Sequence, residues 1–81
     1  MQARSAAHIA FGSAVRALRE ERGISQELFA SKAGIDRSHY GGIERGERNP
    51  SLSSILRIAD TLCVPASQML ARAEQLEQRP K

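Results

Sequence analysis

The amino-acid sequence predicts an all-α fold, about five helices in a compact bundle with no convincing strand. Three observations predict it. Apolar residues recur at spacings of three and four along most of the chain, the pattern of helices that each bury one stripe. Ser25, Asp36 and Ser51 stand where helices would start, and Gly23, Gly34 and Gly46 where they would stop. Aromatic residues make up only 4% of the chain (Phe11, Phe29 and Tyr40), so Leu, Ile and Ala must fill the core, which suits helix-on-helix packing.

The elements follow in order. Residues 1–5 and 78–81 lack apolar periodicity and read as a flexible leader and tail around a single domain, 6–77. The first helix is expected from about Ala6 to Arg22, with Phe11, Val15 and Leu18 at i, i+4 and i+7 and Ala14 beside them. Gly23 stops it and lets Ile24 fold back on Leu18. Ser25 caps a short second helix through Ala33, closed by Gly34 with Ile35 packing back. Asp36 caps a third, Arg37 to about Arg45, ended by Gly46. After the loop GERNP, Ser51 caps a fourth from Leu52 to about Leu62, with a stripe of Leu52, Ile55, Ala59 and Leu62. Pro65 suits the first position of a fifth helix, which carries Met69, Leu70, Ala73 and Leu76.

The second and third helices are joined by "AGID", and a three- or four-residue connection containing Gly is the mark of a helix-turn-helix. The third helix then poses a puzzle, because "SHYGGIERG" sets Gly41 and Gly42 side by side inside it. Each costs roughly 1 kcal/mol relative to alanine. Winding at 100° per residue puts Tyr40, Ile43 and Glu44 on one side, between roughly 240° and 340° from Arg37. Arg37, Ser38, Gly41, Gly42 and Arg45 fall between roughly 0° and 140°, so both glycines are expected to face away from the core as a bare strip. A strip of bare backbone sits deeper in a DNA major groove, which is about 12 Å wide and 8.5 Å deep. Arg37 and Ser38, in the first turn, would reach base edges beside Gly41 and Gly42.

Charge agrees with an anionic partner: the formal net charge is +3, and ten of the twelve basic residues are Arg. Phosphate contacts are expected from the start of the second helix, at Ser25 and Gln26. Arg45, Arg48 and Asn49, with Ser51 and Ser53 at the next helix start, would flank the reading helix on its other side.

From Phe11 to about Leu70 the chain resembles the XRE family, the small helix-turn-helix regulators related to phage repressors and Cro. The stretch "LREERGISQELFASKAGIDRSHYGGIERGERNPSLSSILRIADTL" carries the likeness, and the short length is most similar to restriction–modification controller proteins. The resemblance implies five helices, Gln26 at a phosphate, and Arg37, Ser38, Gly41 and Gly42 facing bases. It also implies a buried Arg19–Glu44 pair between the first helix and the reading helix. Family members often carry polar side chains where Gly41 and Gly42 stand, which leaves more of the specificity to Arg37 and DNA shape. The implied function is a sequence-specific regulator of transcription, in the cytoplasm, acting as a homodimer on a near-palindromic double-stranded DNA site. On the fifth helix Met69, Ala73 and Leu76 are expected to face the partner copy, with Leu70 inward.

Other functions find less support. His8 and His39 are the only histidines and Cys63, between Leu62 and Val64, reads as a buried structural thiol, so neither catalysis, a metal nor a cofactor is expected. No apolar run spans a membrane, no signal peptide is evident, and 81 residues leave no room for a separate small-molecule ligand domain. The alternative is an antitoxin, keeping the DNA-binding fold while gripping a toxin protein.

Overall fold

A computed structural model describes residues 5–77 of the chain; the expected tail, 78–81, and residues 1–4 of the expected leader lie outside the described residues. Five helices follow one another: α1 (Ala6–Glu21), α2 (Gln26–Ala33), α3 (Arg37–Glu44), α4 (Leu52–Leu62) and α5 (Ala66–Glu77). No strand occurs among the described residues. Local chemistry sets the ends. Ser25, Asp36 and Ser51 each accept a hydrogen bond from the backbone N–H three residues on, which satisfies one free donor of the first turn. Ser5, assigned above to the leader, does the same for α1 by accepting from His8. Pro65 falls one residue before α5 rather than inside it.

The turn between α2 and α3 is made by Gly34, at φ 71°, a left-handed conformation that a side chain disfavours. The Ile35 N–H reaches back to the Ala30 carbonyl at 3.0 Å, and the Ile35 side chain is buried. The chain therefore reverses in three residues and sets α3 against α2.

Around this unit α1 packs on α3 and α5, while α4 closes against α2, α5 and α1. Phe11, Val15 and Leu18 of α1 meet Phe29, Tyr40, Ile43, Ile58, Leu62 and Met69 in a single core. Arg22 links α1 to the end of α4 by donating to the Leu62 carbonyl at 3.0 Å.

Three expectations on side-chain direction are corrected. Met69 is fully buried and Ala73 is buried, with Leu76 packed against the same core, whereas Leu70 is 41% exposed. The stripe on α5 offered above as a partner surface is thus consumed by the domain's own core, because α5 lies along α1 and its longest continuous apolar row turns inward. On α4 the buried arc is Ile58, Ala59 and Leu62, and Leu52, expected in the stripe, stands 72% exposed at its rim. Cys63 is exposed rather than buried: it closes α4 in the left-handed conformation, φ 60°, which turns it outward between two inward neighbours.

Candidate nucleic-acid interface

α3 is held by its inner face. Tyr40 and Ile43 are fully buried, and the Tyr40 ring lies 5.1 Å from that of Phe29 on α2. One turn on, the Glu44 carboxylate takes four hydrogen bonds. Arg19 donates from Nε to Oε2 at 2.7 Å and from Nη2 to Oε1 at 3.1 Å, Gln26 donates to Oε1 at 3.0 Å, and the Tyr40 hydroxyl donates to Oε2. The third Arg19 nitrogen donates to the Ile24 carbonyl at 2.7 Å. No buried side-chain polar atom among the described residues is left without a partner. One carboxylate therefore ties α1, α2 and α3 together, in the fully satisfied arrangement that a buried charge requires. Burial alone would raise the Glu44 carboxyl, but the hydrogen bonds from Arg19, Tyr40 and Gln26 and the charge of Arg19 outweigh it. They hold the group below the usual carboxylate range. Burial, then the bond to Glu44, pushes the Tyr40 phenol well up.

A second fastening escaped the sequence reading. Gly12 of α1 faces the end of α3 so closely that a Cβ there would run into the carbonyl oxygens of Ile43 and Glu44. The signal lies in the sequence: a glycine within a helix costs stability and needs a reason, at Gly12 as much as at Gly41 and Gly42.

The outer face of α3 opens at Asp36, whose carboxylate caps the His39 N–H at 3.1 Å. Arg37 and Ser38 are exposed in the first turn, and His39 is half-exposed at the border. Gly41 and Gly42 are not the bare strip expected. Both are buried, roofed by the side chains of Gln26, Arg45 and Arg48. A Cβ at Gly41 would stand 3.1 Å from Arg45 Nη1 and 3.3 Å from Gln26 Oε1, and one at Gly42 would stand 2.5 Å from Arg48 Cγ. The missing side chains leave a trough, and three long polar side chains lie in it. Helical winding gave the direction of the glycines correctly but could not show what comes to cover them.

Of the residues expected at phosphates, Gln26, Arg45 and Arg48 thus converge on α3. Gln26 is half-buried with its amide N–H committed to Glu44, so its first role is structural. Arg45 is exposed and donates to Glu47 at 3.0 Å. Ser25 is exposed at the start of α2 with its hydroxyl accepting from the Leu28 N–H. Ser51 and Ser53 lie 3.2 Å apart, oxygen to oxygen, in a cluster with Ser54 at the start of α4. Asn49, also exposed, lines a groove of about 310 Å³ together with Pro50, Ile55 and Leu70, on the α4–α5 side of the loop.

A short helix, a tight glycine turn and a second helix keyed by its inner face to the rest of the domain define a helix-turn-helix protein. The chain belongs to the XRE-type helix-turn-helix family, whose model matches residues 15–68. It is 37% identical over 68 residues to the control protein C.MunI of Mycoplasma sp, covering 83% of this chain and 92% of that one. To the immunity repressor protein of Bacillus phage phi105 it is 36% identical over 75 residues, 86% of this chain but 52% of the repressor. Among solved structures, the restriction-modification controller protein C.AhdI from Aeromonas hydrophila superposes with a TM-score of 0.78 at 43% identity, covering 80% of this chain and 98% of that one. The family is one of DNA-binding transcriptional regulators, not of enzymes. Among the described residues no helix is long and apolar enough to cross a membrane.

Proposed function

We propose that the chain is a sequence-specific regulator of transcription that reads a near-palindromic DNA site as a homodimer, through α3 in the major groove. The observation that carries this reading is the division of α3: an inner face fixed by Glu44, Tyr40 and the Gly12 contact, and a first turn where Arg37 and Ser38 are exposed. A rigid mount matters because bidentate recognition of guanine O6 and N7 needs a guanidinium placed within hydrogen-bonding geometry. Similarity to controller proteins and to a phage repressor supports the same reading.

Selection of bound duplexes from a random library tests it. A site with two related half-sites about 34 Å apart is expected. If about eight phosphates are neutralised per dimer, log K falls against log salt with a slope near −7. Arg37→Ala is expected to cost about 1–3 kcal/mol on the selected site and to relax preference at one base pair. Equal weakening on every sequence would assign Arg37 to phosphate instead.

The dimer contact in this proposal lies on the residues the core leaves uncovered. Leu52 and Leu56 stand one turn apart on α4, 72% and 51% exposed, and Leu70 on α5 lines the neighbouring groove. A two-fold axis would set this patch against its own copy. Leu56→Glu, at an exposed position, is expected to leave the monomer fold within about 0.5 kcal/mol and to halve the mass seen in sedimentation. A wild-type chain that sediments as a monomer at micromolar concentration would remove the dimer from the proposal.

A further inference from the structure

Gly42 has one neighbour that matters. A Cβ added there would meet Arg48 Cγ at 2.5 Å, Nε at 3.3 Å and Cδ at 3.5 Å, and those three atoms are its nearest surroundings. The loop after α3 turns back on the helix, with the Glu47 N–H donating to the Gly42 carbonyl at 2.8 Å, and this turn starts Arg48 beside the glycine. The Arg48 stem then lies in the trough. Nothing polar draws it there, since among the described residues Arg48 makes no hydrogen bond or ion pair. Gly42 lies one helical turn beyond Ser38 on the same face. A guanidinium with no partner among the described residues is therefore carried from the loop onto the face that also bears Arg37 and Ser38.

We propose that Gly42 is a positioning residue for DNA binding: its missing side chain seats Arg48 along the outer face of α3, where its guanidinium contacts the DNA. The proposal rests on the DNA-binding reading above. The three nearest atoms that a Cβ at Gly42 would meet all belong to one exposed arginine, and the closest is Cγ, near the root of that side chain, so a Cβ would push the Arg48 stem out of the trough. Alanine would favour the helix there. The glycine is thus a local loss of stability whose return is the placement of a charge. Long side chains also lose much rotamer freedom when fixed, so an arginine seated in advance binds its anion with less left to order.

Four proteins test this: wild type, Gly42→Ala, Arg48→Ala and the double variant, each measured by thermal unfolding and by salt titration on one selected duplex. Gly42→Ala is expected to stay folded, the helix propensity of alanine offsetting the displacement of the Arg48 stem, while weakening DNA binding. Arg48→Ala is expected to make the salt slope shallower by about one per half-site. The double variant is expected to bind no worse than Arg48→Ala alone, because the glycine acts through that arginine. Gly42→Ala binding with wild-type affinity and slope would overturn the proposal, as would losses that simply add in the double variant. Loss of the cooperative thermal transition in Gly42→Ala would also overturn it, by showing that the fold itself needs the glycine. A wild-type chain that selects no duplex would defeat the DNA-binding reading, and the proposal with it, so the two failures are distinguishable.

Discussion

Glu44→Ala is expected to destabilise the domain by about 3–5 kcal/mol, the penalty for removing one partner of a buried ion pair. The size follows from what remains behind. Arg19, 8% exposed, would keep its charge beneath α3 with the Ile24 carbonyl at 2.7 Å and the half-exposed Glu20 carboxylate 4.0 Å away, and the buried Tyr40 hydroxyl would lose its acceptor. A domain of this length holds roughly 4–12 kcal/mol in all, so the loss is a large share of the total. A urea titration followed by helical circular dichroism checks it, and a midpoint shift worth less than about 1 kcal/mol would show that the network is not needed for the fold. The pH dependence has a definite sign. The folded carboxyl is held below its unfolded value of about 4.3. Its contribution is therefore complete above the unfolded pKa and is lost as pH falls through the lower folded value. The stability gap between wild type and Glu44→Gln is accordingly expected to narrow on acidification below about pH 4; a gap that stays constant would remove the ionised carboxylate from the account.

The parts of this fold that were legible in the sequence are those decided within one turn of chain. Ser25, Asp36 and Ser51 cap because a short side-chain oxygen beside a free N–H needs no distant help, and Gly34 turns the chain because left-handed backbone excludes most side chains. The inward set on α3, Tyr40, Ile43 and Glu44, followed from winding alone because a helix of eight residues has one sharply defined apolar arc. What failed needed knowledge of the neighbour. Met69 and Leu70 are adjacent and both apolar, and nothing in the sequence chooses between them; α1, lying along α5, turns Met69 inward. The cover over Gly41 and Gly42 comes from Gln26 on another helix and from Arg45 and Arg48 beyond the end of their own. Periodicity assigns a direction to a position. It says nothing of what arrives from elsewhere.

Gly12→Ala is expected to have the other large effect, and to cost far more stability than Gly42→Ala. Both changes add one methyl group to a helix, and both gain about 1 kcal/mol of helix propensity. At Gly42 the methyl meets the stem of one exposed arginine, closest at Cγ, a side chain that has to leave the trough. At Gly12 it meets the carbonyl oxygens of Ile43 and Glu44, which are backbone atoms at the end of α3. No rotamer relieves that clash, so α1 and α3 must separate, and the separation falls on the Arg19–Glu44 bonds that join the same two helices. Overpacking typically costs about 1–3 kcal/mol and sometimes more; with the ion-pair geometry disturbed as well, a net loss of about 2 kcal/mol is expected even after the propensity gain. Urea unfolding of the two alanine variants beside wild type makes the comparison. If Gly12→Ala proved as stable as wild type, the close approach of α1 to α3 would not hold in solution, and the rigid mount on which Arg37 depends would lose one of its two fastenings. The functional consequence is also measurable, because a displaced α3 carries Arg37 and Ser38 with it. Gly12→Ala is therefore expected to weaken binding to the selected duplex more than to random DNA, under conditions where the variant is still folded.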